Sequence, residues 1–341
     1  MTTRTDIADF VPLSRSATAR PAAAGLTGAA FSLVAFALAL VAAQSTAAAP
    51  HVAASLPPHA VAVPAPGGEA TGAVLQAAAM VPPQAWIVEQ VGGSRVSVHV
   101  VLTEGESPHS YDPTPRQLTA LRDVHLLFRT GLPMEDGLLP RVARSFPGIE
   151  VVDLRDGLDL IPDRHDHGHS SRDDHGHDAG LDPHVWLDPE LVAGQVRTVA
   201  RVLARRDPPG AAYYAANRDS VLARLERLER DLHEILDPVR GREMLVFHPA
   251  FGYLAQAFGL VQTSLEEGGL APTPRHLADV ITRARERGVS TLFVQPQHAG
   301  QAVDRVGREM DVEVVELDVL ARDLPDNLRR MARAIRDGLT R

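Results

Sequence analysis

One stretch limits the possible folds of this chain more than any other. Residues 211–236 run for about 26 positions without Pro or Gly, directly after Asp207-Pro208-Pro209-Gly210. Leu222, Leu225, Leu228, Leu232 and Leu236 recur at spacings of three and four, the period of an amphipathic helix. A single copy with patterned sequence on both sides fits a rigid connector between two lobes better than a coiled coil. Each flank alternates short apolar runs with helical patterns. Before the connector, 86–89 and 95–102 read as strands, 115–122 as the start of a helix, 124–130 as a strand, 138–145 as a helix and 149–154 as a strand. A further helix spans 189–205. After the connector, strands are expected at 243–247, 260–265, 289–294 and 312–317, and helices at 251–258, 274–287, 302–310 and 327–339. Such alternation marks a parallel α/β sheet in each lobe. With 45% hydrophobic but only 4% aromatic residues, the cores must be built from Ala, Val and Leu.

Several function classes are excluded. The net charge of −9 argues against nucleic acid as a partner. There is no Cys, so disulfides, thiolate ligands and a lipid-modified cysteine are all absent. All 34 basic residues are Arg, which removes a P-loop lysine and a Schiff-base lysine.

The N-terminus reads as an export signal. Arg4, Arg15 and Arg20 precede an apolar run over 22–43, and Ala47-Ala48-Ala49 offers a small-residue cleavage site. Its Ala/Gly richness favours cleavage near Ala49, with a retained membrane anchor as the alternative. A periplasmic location follows from this reading. Residues 50–79 read as a disordered Ala/Pro-rich linker.

Metal chemistry enters after the strand at 149–154. His165, His167, His169, His175 and His177 are interleaved with Asp and Gly over 163–178. That composition cannot bury a core, and imidazole with carboxylate suits borderline divalent metals such as zinc. A solvated linker with incidental affinity is the plainer reading. Then comes Asp182-Pro183-His184-Val185-Trp186-Leu187-Asp188-Pro189, where one histidine sits among apolar and Pro residues, as in a folded site. His109 lies in the turn-rich loop 103–115, His248 directly follows the strand at 243–247, and Asp318 directly follows the strand at 312–317. Open α/β sheets bind ligands beyond the carboxyl ends of their strands. Two lobes facing each other would bring His109, His184, His248 and Asp318 into one cleft, a plausible tetrahedral zinc site. His125, within a strand, reads as a core or edge histidine. His298 lies near the binding edge of the second lobe and is not assigned as a ligand.

Four motifs carry a resemblance over about residues 80–341. They are Pro108-His109-Ser110-Tyr111-Asp112-Pro113-Thr114-Pro115, the run from Asp182 to Pro189, Val246-Phe247-His248-Pro249-Ala250-Phe251-Gly252-Tyr253, and Glu316-Leu317-Asp318. In order and spacing they resemble the solute-binding proteins of zinc and manganese ABC importers. The resemblance implies two α/β lobes bridged by one long helix, with metal held in the cleft between them by His109, His184, His248 and Asp318. Histidine at the third position and the acidic His-rich loop resemble the zinc branch, so the implied cargo is Zn2+. The implied partner is an ABC importer permease in the membrane, with the protein acting as a monomer. The chain departs from the family at Gln295-Pro296, where Glu-Pro is usual, and at Asp318-Val319-Leu320, where Asp-Pro-Leu is usual. The second departure leaves room for a water or a Glu in place of Asp318.

The expected organisation is a signal peptide over 1–49, a linker over 50–79, an N-terminal lobe over 80–208 with its His-rich loop at 163–178, a connecting helix over 209–237, and a C-terminal lobe over 238–341. A secreted zinc hydrolase is the competing function. It is disfavoured because the chain has no His-Glu-x-x-His helix, no Gly-x-Ser-x-Gly elbow and no general base assignable near the histidines. A metal buffer or adhesin without a transport role would share the same site. No catalytic residue is expected.

Overall fold

The computed structural model describes residues 74–162, 180–266 and 274–341. In the N-terminal lobe, β1 (Leu75–Ala79), α1 (Pro82–Gly92), β2 (Val96–Val100), α2 (Pro115–Thr119), β3 (Leu126–Arg129), α3 (Pro133–Ser145) and β4 (Glu150–Asp153) follow in order. Then α4 (Pro189–Arg206) leads into α5 (Ala211–Leu236). The second lobe contains β5 (Glu243–Val246), α6 (Gly252–Phe258), β6 (Val261–Ser264), α7 (Pro274–Glu286), β7 (Thr291–Val294), α8 (Gln301–Met310), β8 (Glu313–Glu316) and α9 (Leu324–Leu339).

Each lobe has a four-stranded, wholly parallel sheet. The orders are β2-β1-β3-β4 and β6-β5-β7-β8. Both orders reverse direction beside the first strand of the lobe, the arrangement that opens a crevice at the carboxyl edge. In lobe two, side chains alternate between two cores, as successive strand residues must. Met244, Val246 and Phe293 join the large core shared with α5 and α9. Leu245, Leu292 and Val294 join a smaller cluster with Val280, Ala284, Val303 and Met310 of α7 and α8.

The connector takes the form expected of it. Tyr214, Val221, Leu225, Leu228, Leu232 and Leu236 make the buried face of α5. That helix packs on α1 and α4 of the first lobe and on α9 of the second. The interdigitated apolar stripe ties both lobes to one rod.

Two expectations are corrected. The stretch 50–79 is not linker throughout, because β1 occupies Leu75–Ala79 at the centre of the first sheet. Its sequence LQAAA lacks β-branched residues. Tertiary context overrides that weak propensity: Ala77, Ala78 and Ala79 are almost fully buried, where small side chains let neighbouring layers approach. The run 86–89 is helical, not a strand, and lies within α1. Trp, Ile and Val favour strands, but Pro82 and Pro83 occupy the first helical positions, where fixed φ and a missing N–H are tolerated.

Candidate metal centre

The site forms where loops from the carboxyl edges of both sheets meet. His109 sits between β2 and α2, in a turn closed by Ser110 N–H on Ser107 O at 3.2 Å. Met134 N–H donates to Pro108 O at 3.3 Å and Tyr111 Oη donates to Val101 O at 3.1 Å, which pin that loop to its own lobe. His184 precedes the short 3-10 turn Val185–Leu187. Val185, Trp186 and Leu187 are fully buried, so the turn is anchored from within. His248 lies two residues beyond the end of β5, and its carbonyl accepts from Gln295 Nε2 at 3.2 Å.

These three histidines converge. One ring nitrogen from each of His109, His184 and His248 lies within 4.8 Å of the others. Ring centroids are 5.8 Å apart for His109 and His184, 4.4 Å for His109 and His248, and 5.6 Å for His184 and His248. A cation with bonds of about 2.0–2.1 Å needs its nitrogens roughly 3.3 Å apart, a spacing that falls inside the limit within which these three lie. The space between them is a cavity of about 20 Å3, room for one water-sized sphere.

Two buried carboxylates set the orientation of the rings. Asp182 Oδ1 lies 2.7 Å from His184 Nδ1 and also accepts from His184 N–H at 2.9 Å. Glu266 Oε2 lies 2.7 Å from His248 Nδ1. A carboxylate at Nδ1 turns Nε2 towards the metal position and raises its basicity, the usual carboxylate–histidine–metal arrangement. Asp182 lies on the seam between the lobes. Tyr253 Oη donates to its carbonyl at 2.9 Å, and a Cβ added at Gly252 would lie 2.6 Å from its Oδ2. Trp186 Nε1 crosses the same seam, donating to Val319 O at 2.8 Å.

Not every expected residue joins the cluster. Asp318 follows β8 as expected, but its carboxylate accepts from Leu320 N–H at 2.9 Å and faces a larger adjoining cavity. Among the described residues, the group able to hold a metal contains the three histidines and not Asp318. The local backbone accounts for this, because Leu320, two positions after Asp318, carries the N–H that captures the carboxylate. His125 stays in its own sheet, its Nδ1 accepting from Gln76 N–H at 3.3 Å. His165, His167, His169, His175 and His177 lie outside the described residues. The ends of that segment are nevertheless paired: Pro162 and Leu181 form an antiparallel bridge, and Asp182 N–H donates to Ile161 O at 3.0 Å. The described residues on either side of that segment thus meet beside Asp182. Sequence reasoning passed over Glu266. No local pattern marks it, because it reaches His248 only through the pairing of β5 with β6.

His298 also lines the pocket. Burial lowers its pKa, opposed by Glu266 and assisted by His184.

Residues 78–339 match the family described as the periplasmic zinc-uptake complex component A, ZnuA. The chain belongs to this family. It is 27% identical over 230 residues to the manganese-binding lipoprotein MntA of Halalkalibacterium halodurans, covering 65% of this chain and 71% of that protein. It is 26% identical over 232 residues to the high-affinity zinc uptake system protein ZnuA of Bacillus subtilis, with 65% and 71% covered. A zinc-bound crystal structure of a ZnuA deletion mutant superposes with a TM-score of 0.71 at 31% identity, covering 78% of this chain and 98% of that one. The protein is thus a metal-binding, substrate-binding component of the ABC-importer type with the two-lobed ZnuA fold. Members of this family deliver substrate and are not enzymes. The hydrolase reading is set aside on that ground.

Proposed function

We propose that this ZnuA-family protein captures Zn2+ in the periplasm through His109, His184 and His248 and passes it as a monomer to a membrane permease. The convergence of three imidazoles from two lobes on one ion-sized cavity carries this reading. Nitrogen donors suit zinc, whereas Mn2+ favours carboxylate, carbonyl and water oxygens. Ligands drawn from both lobes let the ion act as a bridge, so loading holds the cleft shut and unloading frees it. Export follows from cleavage of the signal over 1–49, near Ala49. The histidines of 163–178 collect further zinc and release it to the tighter site.

Competition calorimetry on the exported chain tests this directly. One tight zinc site is expected. His248→Ala should weaken it by at least about 100-fold, because one of three direct ligands is lost. Deleting 163–178 should reduce total bound zinc and leave the tight site intact. Unchanged zinc affinity in His248→Ala would sink the assignment. Manganese is the alternative cargo, favoured by the likeness to MntA. Growth of a strain lacking the protein in chelator-treated medium separates the two: rescue by manganese and not by zinc would replace the cargo.

A further inference from the structure

We propose that His298 supplies a fourth nitrogen to the ion held by His109, His184 and His248, and so makes the site selective for zinc over manganese. This rests on the metal-capture reading above.

His298 ends the 3-10 turn Pro296–His298, which follows β7 at the same carboxyl edge as His248. It lines the same small cavity as the three histidines. Its ring stacks on that of His248, with centroids 4.9 Å apart and planes inclined by only 13°. One carboxylate stands beside both rings. Glu266 Oε2 is 2.7 Å from His248 Nδ1, and Glu266 Oε1 is 3.7 Å from His298 Nδ1. The carboxylate–histidine arrangement is made at His248, and the second oxygen of the same carboxylate stands within reach of His298 without yet bonding to it. With Nδ1 of His298 turned to Glu266, its Nε2 is the nitrogen turned away from that carboxylate, as in His248. The ring is short of ligand distance, since the cluster within 4.8 Å contains the other three histidines alone. Completing the Glu266 hydrogen bond requires a shift of under about 1 Å, from 3.7 Å to an ordinary 2.7–3.0 Å. Because the two rings lie nearly parallel, His298 must also turn out of the stack to aim Nε2 at an ion lying in the plane of His248.

The alternative fourth donor lies outside the histidine cluster. The Asp318 carboxylate caps Leu320 N–H and faces the adjoining cavity. Four neutral imidazoles leave the charge of the ion uncancelled by its direct ligands. Asp182 and Glu266 balance it from one imidazole away. An all-nitrogen ligand set is a poor host for Mn2+ and a good one for Zn2+.

Crystals of the full chain loaded with one equivalent of Zn2+, examined by anomalous diffraction at the zinc edge, decide the matter. His298 Nε2 is expected at about 2.0–2.1 Å from the ion. His298→Phe keeps an aromatic ring against His248 and removes the donor. It should place a water in that position and weaken zinc binding by about 10–100-fold, while changing Mn2+ binding by less than about threefold. His298→Gln serves as a second variant, and Asp318→Asn should bind zinc as the wild type does. Three histidines with a water or an Asp318 oxygen around the ion, and His298→Phe binding zinc normally, would overturn the proposal. A wild-type chain with no tight zinc site would instead overturn the capture reading on which it rests.

Discussion

The two lobes share a sheet order but hold the histidines of the candidate metal centre in different ways. In the first lobe the orienting carboxylate is local. Asp182 stands two residues before His184 and binds both its ring and its backbone N–H, within a turn whose apolar residues are fully buried. In the second lobe it is remote. Glu266 reaches His248 across 18 residues, through the pairing of β5 with β6. It also stands close to His298. A local clamp survives movement of the sheet around it, whereas a remote one is only as firm as the strands that deliver it. The lobe cores differ in the same sense. The first lobe shares one continuous core with α5, while the outer half of the second rests on a separate, smaller cluster under α7 and α8. On this basis the first lobe is expected to be the fixed half of the site and the second the half that adjusts.

The sharpest way to break this contrast is to neutralise each carboxylate in turn. Asp182→Asn retains an oxygen that can accept from both the ring and the backbone N–H of His184, and should weaken zinc binding by about 10-fold. Glu266→Gln weakens a partner of His248 that is remote in sequence and removes the charge beside His298, and the effect should approach about 100-fold. Competition titration with a zinc chelator reads both. Equal losses, or a larger loss for Asp182→Asn, would show that local anchoring confers no advantage.

The same distinction between local and remote decided what could be read from the sequence. The bounds of α5 were legible residue for residue, because Pro208-Pro209-Gly210 opens it and nothing within it breaks the helix. The convergence of the three histidines was legible because each lies in a loop after a strand or in a Pro-framed turn at one edge of the sheets. β1 was not, since an Ala-rich run carries no alternation and becomes a strand only through its neighbours β2 and β3. α1 was mistaken in its central turn, where residue propensity outweighed the two prolines that begin it. Asp318 was placed correctly at the end of β8, but the destination of its carboxylate depends on one backbone N–H, at Leu320.

A middle-sized effect is expected at the seam. Trp186 belongs to the fixed lobe, and its indole N–H donates to Val319 O in the adjusting one. Trp186→Phe removes that donor and leaves a buried carbonyl without its partner, at a cost of about 1–3 kcal/mol. If the contact is made mainly in the closed form, zinc-loaded protein should lose more thermal stability than metal-free protein. Calorimetric melting with and without zinc measures this. An equal loss in both states would mean that the seam is closed regardless of metal.

The smallest effect concerns Asp188, at the other end of the turn that carries His184. Its carboxylate accepts from Glu190 N–H at 2.8 Å and caps α4. Burial nevertheless pushes its pKa up to about 6, against the stabilising hydrogen bond. The native state thus holds the Asp188 proton to higher pH than the unfolded chain, whose carboxyl titrates near 3.8. Between those values folding takes up a proton, so the contribution of Asp188 to stability is complete below about pH 4 and lost as pH rises through about 6. Asp188→Asn keeps a capping oxygen of similar strength and has no charge to bury. It forgoes an attraction to the helix N-terminus of about 0.3–1 kcal/mol, so a net gain of roughly 1 kcal/mol at pH 7 is expected. At pH 4 the gain should vanish, because the wild-type carboxyl is then protonated as well. Melting the metal-free proteins across this range isolates the difference, since every other titrating group is common to both. A gain that persists unchanged at pH 4 would assign it to packing around the new amide rather than to the charge, and the turn that bears His184 would then be strained by shape alone.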